Sequence, residues 1–282
     1  MRHRTEPGSA LLVASLVATL LATAAIVLIL SVRSAQASAS EALRLEQARM
    51  QSETLLDAAL VLLDSGSLTT PLNGASIILP EAIGEGEVRI QDSAGLLDLN
   101  VADSDQLAAL FAAIGANAET ARRLGDAVAD WRDGDDLERP FGAEADDYAA
   151  AQAPPPGNRD FEIESELALV LGMPRALADC ALAYVTVHSG LASPDLGAAP
   201  ALLRQALRAG PGPASGSALG APLGRVLIVT AEAPLSARAA LRSARWVRLT
   251  GDPNRPVLTH RAKVEFAARN QPGAAESCKA AP

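Results

Sequence analysis

The stretch SALLVASLVATLLATAAIVLILSV, Ser9 to Val32, contains no charged residue. As a helix it spans about 36 Å at roughly 1.5 Å per residue, which exceeds the roughly 30 Å of a bilayer's hydrocarbon core. Arg2 and Arg4 precede it, and basic residues favour the cytoplasmic side of a membrane. The sequence therefore predicts one membrane-spanning helix over residues 9–32, with everything after Arg33 on the far side.

Three interpretations fit this segment. It can be a plain transmembrane anchor, or a cleavable secretory signal that ends at the small residues AQAS, Ala35 to Ser38. The apolar run exceeds the usual length of such a signal, about 7–15 residues, and Arg33 interrupts the approach to the cleavage site. The third interpretation is a pilin-type leader, in which a glycine, here Gly8, closes a short basic leader directly before the apolar run. We favour the third interpretation because of the segment that follows.

The helix is predicted to continue beyond the membrane, because residues 35–63 contain neither Gly nor Pro. Small and apolar residues recur at three- and four-residue steps, as in an amphipathic helix: Leu45, Ala48, Ser52, Leu55, Ala59 and Leu62. The stretch DSGS, Asp64 to Ser67, ends the pattern. One helix from Ala10 to Leu63 would be about 80 Å long, like the spine of a pilin. The alternative is an anchor followed by a separate amphipathic helix, with a kink between them.

The rest of the chain predicts an α+β fold. A strand is predicted at Glu87–Gln91, and from Asp103, with Gln106 in the capping-box position, the pattern becomes helical. Residues 92–190 are predicted to form a small all-α unit with an acidic loop in its middle. β-branched residues in approximate alternation predict three later strands, near 224–232, 243–250 and 256–266. We therefore expect a pilin-like long N-terminal helix packed on a small antiparallel sheet, with a large all-α insertion.

Within the insertion, a second helix pair is predicted around the turn at Gly172–Pro174, with its second helix in RALADCALAYVTVHSG. A short helix is predicted over Ala201–Ala209, between two segments whose Gly, Pro and Ser content is typical of linkers.

The acidic loop is DWRDGDDLERPFGAEADDY, Asp130 to Tyr148, with eight carboxylates and three aromatic rings. One interpretation is a solvated run of charge, and the other is a calcium site, since Ca²⁺ takes many oxygen ligands in a flexible loop. An EF-hand is rejected, because Leu137 and Glu138 occupy positions that require a ligand and a glycine. Both interpretations stay open from the residues alone.

Composition excludes several functional classes. The net charge is −9, which opposes non-specific binding to nucleic acid or anionic lipid. The three histidines are far apart in the sequence, and neither a catalytic triad, a phosphate-binding loop nor a zinc pattern is present, so we predict no enzyme. Cys180 and Cys278 could form one bridge in an oxidising compartment, although we expect Cys180 to be a small buried apolar residue.

The order of several segments resembles a known family. These segments are PGSALLVASLVATLL, AGLLDLNVADSDQLAALF, AVADWRDGDDLERPFGAEADDY, FEIESELALVLGMP, AYVTVHSG, RVLIVTAEA and RPVLTHR. Together they resemble the type II secretion system minor pseudopilin K, also called general secretion pathway protein K. The resemblance covers nearly the whole chain, and its most specific part is the acidic run.

The resemblance implies a function in protein export across the outer membrane. It implies that prepilin peptidase cleaves between Gly8 and Ser9 and that Ser9 is then N-methylated. It implies a single-pass protein of the inner membrane, anchored by residues 9–32, with a cytoplasmic N-terminus and a periplasmic head. It implies assembly with minor pseudopilins I and J at the tip of the pseudopilus, and calcium in the insertion. The ligands carried over as a group are Asp133, Asp135, Asp136, Glu144, Asp146 and Asp147.

The resemblance also fixes a division of the chain. The predicted parts are a prepilin leader (1–8), a transmembrane helix (9–32), an amphipathic helix and first strand (33–91), the insertion (92–215), the sheet of the head (216–270) and a disordered tail (271–282).

Two further features bear on the functional class. Most pilins have Glu at the fifth mature position, where this chain has Val13, as expected of a tip subunit with no neighbour above it. A rival class is a membrane-anchored DNA-uptake receptor, because LNVADSDQLAALFAAIG resembles the start of a helix-hairpin-helix module. Residues 92–166, however, contain 18 Asp and Glu against 5 Arg and no Lys, and a phosphate-binding hairpin needs the opposite charge. We therefore expect no nucleic-acid partner.

Overall fold

The computed structural model describes residues 7–68, 70–77, 79–207 and 223–268. Most of the predicted leader, 1–8, and the tail predicted to be disordered, 271–282, lie outside the described residues. The chain divides into two compact units, Met1–Ala48 and Arg49–Pro282.

Helix α1, Pro7–Asp64, is one helix of 58 residues, so the prediction of a single long helix is confirmed. Neither Gly nor Pro interrupts α1 after Gly8, and within its described residues it has no break that would separate an anchor from a second helix. In the first unit its apolar side chains are exposed, from Leu11 to Val32. The helix is long and apolar enough to cross a membrane, as predicted for residues 9–32.

The second unit contains a five-stranded antiparallel sheet in the order β1-β2-β5-β6-β7. Its strands are β1 (Asn73–Ile77), β2 (Glu87–Asp92), β5 (Val226–Pro234), β6 (Ala239–Leu249) and β7 (Val257–Ala268). The four predicted strands are present. The edge strand β1 was not predicted, because NGASI has little β propensity of its own and is stabilised by pairing with β2.

The last turns of α1 pack on this sheet. Leu55, Leu56 and Ala59 are buried in one core with residues of the three central strands. At the edge of that core the hydroxyl groups of Ser52 and Ser243, both buried, lie 2.8 Å apart and share a hydrogen bond. The stripe predicted from the periodicity is therefore confirmed at Ser52, Leu55 and Ala59, which face the sheet, whereas Leu45 is exposed.

Between β2 and β5, which are neighbours in the sheet, the chain forms an insertion with its own apolar core. Its helices are α2 (Ser104–Ala113), α3 (Ala118–Arg132), α4 (Ala145–Ala150), α5 (Arg175–Ala181) and α6 (Ala201–Ala206). Asp103 caps α2 through the predicted capping box with Gln106. At the base of the insertion Arg225 lies 3.1 Å from the buried Asp92, the last residue of β2, so an ion pair joins the two ends of the inserted segment.

The prediction that residues 92–190 are all α needs correction. Leu97–Asp98 (β3) and Val185–Thr186 (β4) pair as parallel strands, and α5 ends at Ala181, well before the predicted end. The FEIESELALV segment forms a 3-10 helix, Glu164–Leu169, instead of an α-helix. Strands β3 and β4 have only two residues each and lie far apart in the sequence. No local sequence pattern therefore predicts that they pair.

Cys180, which packs partly buried against the insertion core, is disulfide-bonded, and the described residues contain no free cysteine. The expectation of an unpaired, buried Cys180 is therefore wrong. Cys278, the other cysteine in the sequence, lies outside the described residues.

Candidate functional site

The acidic loop connects α3 to α4 and folds back on the end of α3. Asp130, in the last turn of α3, is completely buried. One oxygen, Oδ2, accepts hydrogen bonds from the backbone N–H groups of Arg139 and Ala143, at 3.2 and 3.0 Å. The other, Oδ1, lies 2.5 Å from Nη1 of Arg139. A single buried carboxylate therefore fixes the returning half of the loop.

Gly142 is required by this arrangement. A Cβ at residue 142 would lie 1.7 Å from Oδ2 of Asp130, well inside van der Waals contact. The loop can close over Asp130 only because no side chain is present at this position.

Two of the three aromatic rings of the acidic loop are buried. Trp131 is buried and stacks on Phe161, with ring centroids 4.0 Å apart and an interplanar angle of 19°. Tyr148 is buried, and its hydroxyl oxygen accepts a hydrogen bond of 2.9 Å from the backbone N–H of Leu171. Phe141 is 48% exposed, so it does not contribute to the core.

The six predicted ligands do not form one gathered set. Asp135, Asp136 and Asp146 are exposed, and Oδ1 of Asp135 accepts a hydrogen bond from the backbone N–H of Leu137 inside the loop. Asp147 is half-buried and accepts a hydrogen bond of 3.0 Å from the backbone N–H of Glu144. Among the described residues, no three carboxylate, imidazole or thiol groups are gathered to hold a metal ion as they stand.

Asp133 and Glu144 differ from the other four. Oδ2 of Asp133 lies 2.5 Å from Nη1 of Arg139, while its Oδ1 is buried without a hydrogen-bond partner. Both carboxylate oxygens of the buried Glu144 also lack a partner. A buried carboxylate without a donor costs free energy, so these three oxygens are the ones available to a cation.

The electrostatics of Glu144 agree with its geometry. Its pKa is raised to about 6, first by burial and then by the negative charges of Asp130, Asp133, Asp136 and Asp135. These carboxylates are therefore close enough to repel one another through the loop. A divalent cation would reverse that balance, and an all-carboxylate donor set suits a hard cation such as Ca²⁺.

Sequence reasoning missed Asp130 and the role of Arg139. Asp130 was included only in the charge count of the loop, and Arg139 only as a partial offset. Their pairing raises the pKa of Arg139, through hydrogen bonds to Asp133 and Asp130, and so keeps the guanidinium charged. The sequence did contain a signal for this pairing. Ala127, Val128 and Trp131 surround Asp130 on the buried face of α3, and a carboxylate buried there needs a cation as its partner.

A second buried carboxylate joins the insertion to the sheet. Oε2 of Glu164, in the 3-10 helix, accepts a hydrogen bond of 3.0 Å from the guanidinium of Arg261 on β7. Oε1 of Glu164 lies 3.8 Å from Nε2 of the half-buried His188, and His260 is exposed. His188 therefore lies where the insertion meets the sheet, and His260 lies at the surface.

The comparisons with known proteins agree with this architecture. Residues 90–190 match the first-domain family model of the type II secretion system (T2SS) protein K. The fold is similar to a chain in the crystal structure of the GspK-GspI-GspJ complex of the enterotoxigenic Escherichia coli type 2 secretion system. That similarity has a TM-score of 0.50 at 14% sequence identity and covers 83% of this chain and 98% of that chain. A search of the curated proteins found no match.

The fold and the insertion define the class as a pilin-like protein, in which a long N-terminal helix carries an antiparallel sheet interrupted by a mostly helical insertion. The family match lies almost entirely within that insertion, which therefore resembles the first domain of the type II secretion system protein K. The helix-hairpin-helix DNA receptor is not favoured. The α2–α3 hairpin that suggested it lies within the family match.

Proposed function

We propose that this chain is a minor pseudopilin of the type II secretion system protein K family. We further propose that it forms the tip of a type II secretion pseudopilus and takes part in protein export across the outer membrane. The observation that carries the proposal is the insertion between the neighbouring strands β2 and β5, which contains the match to protein K. An ordinary pilin head stacks on others in a helical fibre. A head enlarged by an insertion of this size is better accommodated at the end of the fibre than inside it.

The partners proposed are minor pseudopilins I and J. The support is the fold similarity to a chain from the GspK-GspI-GspJ complex. The exposed apolar side chains of α1 in the first unit supply a surface that can pack against the N-terminal helices of such partners and against lipid. The role is structural, and no catalytic activity is part of the proposal.

The N-terminus is proposed to be processed as in other pseudopilins. Prepilin peptidase would cleave between Gly8 and Ser9 and N-methylate Ser9, leaving Val13 at the fifth mature position. Val13 cannot form the ion pair that a Glu at this position makes with the N-terminal amine of a neighbouring subunit. The mature protein would remain in the inner membrane through residues 9–32, with the head in the periplasm.

Calcium is proposed to bind the acidic loop. Of the six predicted ligands, Asp133 and Glu144 fit best, because their three buried oxygens have no hydrogen-bond partner. Asp135, Asp136, Asp146 and Asp147 are the further candidates for the oxygen ligands that Ca²⁺ requires. Bound calcium would supply positive charge that offsets the repulsion between these carboxylates.

The experiment that tests the proposal is co-purification of the full-length chain with pseudopilins I and J of the same secretion system, co-expressed in membranes and extracted in mild detergent. A complex containing all three chains supports the tip assignment. A chain that co-purifies with neither partner, while I and J still purify together, would contradict it. N-terminal sequencing of the same material should begin at Ser9, and a start at Ser38 would instead identify a cleaved secretory signal.

A further inference from the structure

Arg139 holds two carboxylates of the acidic loop at once. Its Nη1 lies 2.5 Å from Oδ1 of Asp130 and 2.5 Å from Oδ2 of Asp133. One guanidinium nitrogen thus bridges the last turn of α3 and the residue that caps it. This bridge occupies the position at which a cation between the same two residues would act.

The two carboxylates of the bridge differ in what else they contact. Asp130 is completely buried and its second oxygen is satisfied by two backbone N–H groups of the loop. The side chain of Asp133 is 26% exposed, and its second oxygen has no partner. Asp130 therefore has a complete set of partners in the absence of a metal, whereas Asp133 does not.

Arg139 also has room to move. Its side chain is 38% exposed and borders a cleft of about 540 Å³. The cleft is lined by Ser104, Gln106 and Ser193 and also by Arg132, whose guanidinium is held by hydrogen bonds to the backbone carbonyls of Leu99 and Ala102. The guanidinium of Arg139 could release Asp133 and turn toward this cleft without disturbing the apolar core, while its backbone N–H keeps its bond to Asp130.

We propose that Arg139 is the internal counter-cation of the acidic loop, which holds Asp130 and Asp133 together in the metal-free protein and releases Asp133 when a divalent cation binds. The inference rests on the calcium binding proposed above and adds to it a residue that competes with the ion. A guanidinium near the site lowers the affinity for calcium, because two positive charges repel each other at this distance. In return, the loop stays folded when calcium is absent.

The test compares calcium affinity in four forms of the full-length protein, purified in detergent and stripped with a chelator. These are the wild type, R139M, R139K and the control R123M. Arg123 lies on α3, the helix that precedes the loop, and pairs with Glu119 at the exposed surface, so R123M removes an equal charge away from the loop. Isothermal titration with CaCl₂ gives the affinities, and thermal unfolding in chelator gives the stability of the metal-free state.

The expected result is that R139M binds calcium about tenfold more tightly than the wild type, while R139K and R123M stay close to it. In chelator R139M should unfold at a lower temperature than the wild type, since Asp130 loses its counter-charge. Equal or weaker calcium binding by a folded R139M would overturn the inference and leave the calcium site standing. A wild type that binds no calcium would overturn both proposals.

A second measurement needs no variant and covers the case in which R139M does not fold. Wild-type protein labelled with ¹⁵N-arginine should show the side-chain N–H signal of Arg139 protected from exchange in chelator. Saturation with calcium should shift that signal and increase its exchange. An Arg139 signal that is unchanged at saturating calcium would contradict the release of Asp133.

Discussion

Glu164 in the insertion accepts a hydrogen bond of 3.0 Å from Arg261, which lies on the outermost strand of the sheet. The carboxylate is buried, and the guanidinium also lies over the ring of Trp246, 4.6 Å from its centroid. Two ion pairs among the described residues thus join the insertion to the sheet, one at its base between Asp92 and Arg225 and a second at β7. The second attachment ties the orientation of the insertion to the sheet.

The first prediction concerns this attachment. Replacing Arg261 with Met should destabilise the protein by about 2 kcal/mol, because Glu164 remains buried without its cation. This value is smaller than for a fully buried ion pair, because the side chain of Arg261 is partly exposed. For a protein of this size the melting temperature should fall by about 4–8 °C. Circular dichroism of the full-length protein in detergent measures the change. R248M, at an exposed position on β6, is the control, and an R261M protein as stable as R248M would contradict the prediction.

The second prediction is a pH dependence that comes from His188. Burial lowers the pKa of His188 from 6.5, aided by the positive charges of His260 and Arg261 and opposed by Glu164 and Asp98. The unfolded chain therefore binds a proton at this residue more readily than the folded protein does. The contribution of His188 to the free energy of unfolding is therefore retained above pH 6.5 and decreases as the pH falls below 6.5.

H188Q should therefore lose less stability than the wild type between pH 7 and pH 5. Thermal unfolding at several pH values measures the difference between the two proteins. H260Q should have a smaller effect, because His260 acts on His188 only through its charge. Parallel curves for H188Q and the wild type would show that His188 does not set the acid sensitivity.

Local patterns were sufficient to predict most of the fold. The α1 helix follows from an uninterrupted apolar and then amphipathic pattern, and the four predicted strands follow from β-branched alternation. The β1 strand and the β3–β4 pair have no such signal. They are stabilised by hydrogen bonds to other segments of the chain. Leu97, for example, pairs with Val185, which is too distant in the sequence for a local pattern to reveal.

The site was predicted as a group of carboxylates and not as a geometry. Charge density pointed to the loop, and Asp133 and Glu144 were among the predicted residues. Which of them are buried depends on how the loop returns over Asp130, and that path is set by three hydrogen bonds from Arg139 and Ala143. The counter-cation role of Arg139 follows from that path and could not be derived from the spacing of the charges.

The third prediction tests the path of the loop. Gly142→Ala should lower the melting temperature by several degrees, because the new methyl group would overlap Oδ2 of Asp130. Gly134→Ala is the matched control in the same loop, since a Cβ at residue 134 would meet no atom within 4 Å. Thermal unfolding in chelator measures both variants. Equal stability of the two would mean that the loop does not close over Asp130 as described.

The last prediction concerns Glu144, whose buried carboxylate has no hydrogen-bond partner. Its folded pKa of about 6 exceeds the ordinary 4.5, so above pH 6 the folded protein carries a charge that burial and its neighbours disfavour. At pH 7 in chelator, Glu144→Gln should therefore stabilise the protein, by at most about 2 kcal/mol. In saturating calcium the order should reverse, because the wild type gains free energy from the ion and the variant has lost a ligand.

The measurement is thermal unfolding of both proteins in chelator and in calcium, with E138Q as the control. Glu138 is exposed in the same loop and is not a predicted ligand, so E138Q should follow the wild type in both conditions. If E144Q is less stable than the wild type in chelator, Glu144 has a partner in the metal-free loop. If calcium stabilises E144Q as much as the wild type, Glu144 is not a ligand and the proposed site must be built from other residues.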